Sequence, residues 1–147
     1  MQINQLLTRE VSNEKETLQF AAEAVSYFEP GATIFLYGNL GSGKTFLVRE
    51  FVRLLGIKVD VTSPSFTIIN RYNGNQSVNH IDLYRIRGEF ELKNLGLNDL
   101  WEDNSINLIE WPQFLENLVD WDHFRLYIEN DTSRETWRLF KLYHYAA

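Results

Sequence analysis

ATIFLYGNLGSGKTFLVREFVRLLG, residues 32–56, joins an apolar run to a helical pattern through a glycine-rich turn. The run ATIFLY (32–37) is a short apolar strand of the kind buried on both faces of a parallel sheet. KTFLVREFVRLLG (44–56) places Phe46, Leu47, Phe51, Leu54 and Leu55 on the buried side of a helix that Gly56 closes. Between strand and helix, Gly38, Gly41, Gly43, Lys44 and Thr45 fill the pattern G-x-x-x-x-G-K-[ST]. The chemistry needs each residue type. Glycines let backbone amides crowd a phosphate without a Cβ in the way. A helix starting near Gly43 adds its unpaired amides and positive dipole end. Lys44 offers a point charge to β and γ oxygens, and the Thr45 hydroxyl can ligate Mg²⁺. With glycine at about 7% of residues, chance produces this match in a chain of this length roughly once in 200 trials. The expected phosphate cradle is Asn39, Leu40, Gly41, Ser42, Gly43, Lys44, Thr45 and Phe46.

Such a loop works with an acid at the end of a nearby apolar strand, which positions Mg²⁺ or its waters. Two acids fit. Glu110 ends INLIE (106–110) and is the candidate for the metal; Asp82, in HIDLY, is the candidate for orienting the attacking water. The plainer alternatives are an acid capping the helix after Pro112 and a strand-end turn residue. His80 lies two residues from Asp82 on the same strand face and reads as a structural hydrogen-bond partner. Ser63-Pro64-Ser65 joins the first helix after the cradle to the next strand. Its neighbourhood offers Thr62, Ser63, Ser65 and Thr67 as hydroxyls for sensing a γ-phosphate, or else is an inert turn.

The rest of the chain bounds the class. At 147 residues, 44% hydrophobic and 14% aromatic, one packed domain spanning 1–147 is expected. The absence of cysteine excludes disulfides, thiolate metal sites and cysteine nucleophiles. A net charge of −6 with dispersed Lys and Arg argues against unaided binding to a nucleic acid backbone. The first residues carry no signal-peptide pattern and no apolar run is long enough to span a bilayer, so a cytoplasmic protein is expected. Ser12 or Asn13 can cap a helix bearing Glu14 and Glu16, with Leu18, Ala21, Ala22, Val25 and Phe28 as its apolar stripe. Asn73-Gly74 marks a β-hairpin, GEFELKNLGLNDLWED one or two short helices, and FRLYIEND with ETWRLFKLYHY a second hairpin. The expected fold is α/β: a P-loop NTPase-like three-layer arrangement with a mixed, largely parallel central sheet and antiparallel hairpin strands.

The guanine signature N-K-x-D is missing, which favours ATP over GTP. A small P-loop kinase acting on a small-molecule acceptor is the alternative; RIRG (85–88) would suit it, but no lid-like insertion stands out. GNLGSGKT (38–45), TSPSFTIINRY (62–72), HIDLYR (80–85), LGL (95–97) and IEWPQ (109–113), in this order, resemble the bacterial TsaE (YjeE) family. The likeness runs from about Tyr37 to Gln113. It implies a small Mg²⁺-dependent ATPase that supports, without itself moving the group, the TsaB–TsaD complex that makes threonylcarbamoyladenosine in tRNA. Contact with tRNA would then be indirect, through that complex. By position, the resemblance puts Lys44 on the phosphates, Thr45 on Mg²⁺, Glu110 on the metal-associated acid and Asp82 on the acid needed for hydrolysis. Trp111 falls on the family's tryptophan after that acid, where a core or rim aromatic is an equal reading. Thr62 and Ser65 fall in the switch-like loop, Ser65 standing where threonine is common.

Overall fold

The computed structural model describes residues 1–58, 60–61, 68–101 and 104–147. In chain order the elements are β1 (Gln2–Val11), α1 (Glu14–Val25), β2 (Thr33–Tyr37), α2 (Lys44–Leu54), β3 (Ile69–Tyr72), β4 (Val78–Asp82), α3 (Glu89–Lys93), α4 (Asn98–Trp101), β5 (Ile106–Glu110), β6 (His123–Asp131) and β7 (Arg134–Ala146). The described strands form one seven-stranded sheet in the order β1-β7-β6-β2-β5-β4-β3. The central pairs β6–β2, β2–β5 and β5–β4 are parallel, while β3, β7 and β1 join antiparallel at the flanks. Both expected hairpins form, and INLIE is β5 without a residue's difference.

Period-two alternation sorts the sheet into two cores. Ile34 and Leu36 of β2, with Ile106 and Leu108 of β5, face α1 and α2. Phe35 and Ile109 point the other way, against Leu92, Leu97, Leu115 and Val119 from α3 and the segments around it. Strands buried on both faces read as unbroken apolar runs, which is why TIFLY and INLIE were legible.

Three expectations need correction. The apolar stripe of α1 is Thr17, Phe20, Ala21 and Ala24, continued by Phe28, and Leu18 lies exposed. The helix is turned by the aromatic anchor: the Phe20 ring stacks on Phe140 of β7 with centroids 4.4 Å apart. Thr17 tolerates burial because its hydroxyl donates to the Asn13 carbonyl at 3.3 Å. Asn13 is the cap, accepting the Glu16 amide at 2.9 Å, while the Glu16 carboxylate accepts the Ser12 amide at 3.0 Å, a reciprocal capping box. In α2 the buried face is Leu47, Val48, Phe51 and Val52; Phe46, Leu54 and Leu55 are only half-buried. This helix packs against the sheet and also against its neighbour α1, so its covered face is wider than a surface helix shows. Finally, residues 2–11 form a strand that the sequence reading left unassigned. A register shift between Gln5 and Leu7 breaks its alternation, and of its side chains only Leu7 and Val11 are buried.

Candidate functional site

The ends of three adjacent parallel strands build the site. β2 leads into the glycine loop, Glu110 ends β5 beside it, and Asp82 ends β4 on the far side of β5. Glu110 pairs in register with both Leu36 and Asp82, so the two carboxylates and the loop stand at one level. Open α/β sheets bind ligands at such carboxyl-terminal strand ends.

Two glycines have stated steric work. A Cβ on Gly38 would lie 2.5 Å from Ser42 Oγ and 3.1 Å from the Ile128 carbonyl, so the loop folds back onto its own first residue. Gly43 has φ +101° and precedes α2 with no side-chain cap. The first amides of α2 are therefore left for an anion rather than for a capping oxygen. Ser42 is buried beneath the loop, and its side chain faces Gly38 instead of lining the cleft between the strand ends. Its backbone is braced from β7, where Arg138 Nε donates to the Ser42 carbonyl at 2.6 Å.

The cleft has a volume of about 430 Å³. Asn39, Leu40, Gly41, Gly43, Lys44, Thr45 and Phe46 form one wall, and Asp82, Glu110 and Trp111 the other. Lys44 is buried and donates to the carbonyls of Gly38 and, at 3.2 Å, of Asn39. Its ammonium sits 4.2 Å from the centre of the Trp111 ring, a cation–π contact. Burial lowers the Lys44 pKa, and the negative charges of Glu110 and Asp82 oppose that shift. Asp82 Oδ1 accepts the Tyr84 amide at 2.9 Å. Its pKa is raised, chiefly by burial, with Glu110 adding and the Tyr84 amide opposing. His80 Nε2 lies 2.5 Å from Glu110 Oε2, both side chains being almost wholly buried. Trp111 takes φ +56°, an uncommon conformation for a bulky residue, and this turn brings its ring over Lys44 and against Tyr84. Trp111 is thus a wall of the cleft, not a remote rim residue.

The oxygen donors facing the cleft, Thr45, Asp82 and Glu110, are hard ligands of the type Mg²⁺ takes together with phosphates and waters. Among the described residues no group of three or more His, Cys, Asp or Glu side chains forms a metal cage of its own. Thr62 and Ser65 lie outside the described residues.

Sequence reasoning missed three contributors. Tyr84 and Arg85 line the cleft; they follow Asp82 directly in HIDLYR, so the signal was present. Arg138 carried no local signal, because it reaches the loop from 96 residues away. It also borders a second cleft of about 300 Å³ that shares Gly43 and Phe46 with the first and continues past Glu14, Thr17 and Thr136. A larger groove of about 670 Å³ lies beside Tyr37, Tyr127, Tyr143 and Tyr145 and touches the loop only at Gly38 and Asn39. Lys44, Asp82 and Glu110 do not line it, so size does not mark the chemistry here.

A glycine loop between a parallel strand and a helix, with two acids on neighbouring strand ends, is the arrangement of the P-loop NTPase-like α/β class. The family model described as "Threonylcarbamoyl adenosine biosynthesis protein TsaE" matches residues 11–138. The chain belongs to this TsaE family, whose members are named for tRNA threonylcarbamoyladenosine biosynthesis. It is 35% identical over 126 residues to the tRNA threonylcarbamoyladenosine biosynthesis protein TsaE of Bacillus subtilis, covering 84% of this chain and 78% of that one. The Haemophilus influenzae protein of the same name is 33% identical over 113 residues, 73% and 72% of the two chains. The crystal structure of Bacillus subtilis YdiB superposes with a TM-score of 0.77 and 28% identity, over 97% of this chain and 87% of that one. Among the described residues no helix is long and apolar enough to cross a membrane.

Proposed function

We propose that this chain binds ATP with Mg²⁺ and hydrolyses it in support of a TsaB–TsaD threonylcarbamoyl-transferase complex in the cytoplasm. The observation that carries the reading is the convergence of Lys44, Asp82 and Glu110 on one cleft at the mouth of the glycine loop. The loop amides and the start of α2 would hold the triphosphate, and Lys44, which in this structure donates to the Gly38 and Asn39 carbonyls, would meet the β and γ oxygens. Thr45 and Glu110 are the residues that would hold Mg²⁺, which when bound would neutralise charge on those oxygens. Asp82 orients the water for in-line attack, and its burial makes it a better base than a free carboxylate. The nucleoside end extends over Gly43 and Phe46 into the second cleft, beside Arg138.

A partner is part of the reading. Leu40 and Tyr84 line the phosphate cleft yet are 68% and 53% exposed. Large apolar side chains at the rim of a polar site suit a protein surface that closes over it. The acidic composition favours that partner over RNA held directly.

The test is phosphate release from labelled ATP, by the chain alone and with TsaB and TsaD. Slow release that the pair accelerates is expected. A chain whose turnover the pair leaves unchanged contradicts the partnership, and transfer of label to a small-molecule acceptor would make the protein a kinase.

A further inference from the structure

Glu110 has an uncommon setting for an acid expected to work at a cleft. It is 4% exposed, it ends a strand buried on both faces, and the next residue turns the chain through a left-handed conformation. A carboxylate there has two oxygens to satisfy, and its rotamer is not set by solvent. His80 satisfies one of them. It lies two residues before Asp82 on β4, so its side chain shares the face of Asp82 and points toward β5. Its Nε2 stands 2.5 Å from Glu110 Oε2.

The geometry points to His80 as the positioning residue for Glu110: it fixes the carboxylate so that Oε1 is the oxygen presented to the metal. This rests on the Mg·ATP reading above. An ionised carboxylate only accepts hydrogen bonds, so Nε2 carries the proton in this contact. Nδ1 is buried and has no partner among the described residues. A histidine retained to satisfy the fold would be expected to use both ring nitrogens, whereas among the described residues this one is engaged only toward the acid. Val78, on the same face of β4 and equally buried, shows that the face accepts an apolar side chain. An outer partner that orients a ligand is a recurrent device of metal sites, and its loss is read in metal affinity before fold stability.

Two variants of the full chain test the assignment. His80→Leu keeps the volume and removes the donor; His80→Gln keeps an N–H at the reach of Nε2. The readouts are Mn²⁺ binding in the presence of a non-hydrolysable ATP analogue, followed by electron paramagnetic resonance, and analogue binding in EDTA. His80→Leu is expected to weaken Mn²⁺ binding about 10–100-fold while metal-free analogue binding stays at the wild-type level, and His80→Gln to recover most of the loss. In a Glu110→Ala background His80→Leu is expected to change nothing further, and His80→Val, a smaller side chain without a donor, replaces it if His80→Leu fails to fold. Unchanged Mn²⁺ affinity in folded His80→Leu overturns the assignment. So does an equal loss of metal-free analogue binding, or an effect of His80→Leu or His80→Val that persists without Glu110. If the wild-type protein binds the analogue in neither condition, the Mg·ATP reading itself falls.

Discussion

Asp82 carries a conflict between stability and chemistry at the scale of one side chain. Burial raises its pKa, so holding it ionised at neutral pH costs folding free energy. The sign is the one for a raised group: its stabilising contribution is present below the unfolded value of 3.8 and is lost as pH rises through the higher folded value. Asp82→Asn, which still accepts the Tyr84 amide, is therefore expected to raise the thermal midpoint at pH 7 while lowering ATP turnover by about 10²–10⁴-fold. Calorimetric unfolding beside a phosphate-release assay checks both halves, and an Asn variant less stable than wild type would show that Asp82 is structural. The wild-type rate should also fall on acidification at a higher pH than an unperturbed aspartate would set. At this scale the sequence was largely legible. Spacing alone marked Lys44 and Thr45, and strand ends marked Asp82 and Glu110. The ring of Trp111 over Lys44 was not, because it depends on one positive φ that no composition reports.

Among the elements, legibility followed burial. β2 and β5 are covered on both faces and show as unbroken apolar runs; β1 is a flanking strand with a register shift and shows almost nothing. The misjudged stripe of α1 has a specific cause in the stacking of Phe20 on Phe140. Phe20→Ala should cost about 3–5 kcal/mol, read as a lower midpoint in urea, and a cost under about 1 kcal/mol would mean the contact is dispensable. Leu18→Ala, by contrast, removes an exposed side chain and should change little. The glycine loop likewise depends on a distant element. Arg138 on β7 holds the Ser42 carbonyl, and Arg138→Ala is expected to weaken nucleotide binding roughly 10-fold, a charged hydrogen bond being worth about 1.5 kcal/mol or more. Titration calorimetry with the folded variant decides this; wild-type affinity would make the brace incidental.

Over the whole molecule, the strand order brings distant segments to one edge of the sheet. β5 inserts between β2 and β4, although β4 precedes it in the chain, and this places Glu110 between the loop and Asp82. No local pattern encodes that insertion, yet the fold class was readable, since a strand, a glycine loop and a helix admit few surroundings. Replacing Leu40 with Ser, which adds no charge beside the phosphates, should weaken the stimulation by TsaB and TsaD far more than it weakens ATP binding, because the Leu40 side chain is mostly exposed at the mouth of the cleft. All of this presumes that the cleft holds Mg·ATP. Isothermal titration of the purified chain with Mg·ATP, beside Lys44→Ala, tests that directly. The expected result is single-site binding by the wild type, weakened by about 10–100-fold in the variant through loss of charged hydrogen bonds. Equal affinity in the two proteins, or no binding by either, would contradict the account.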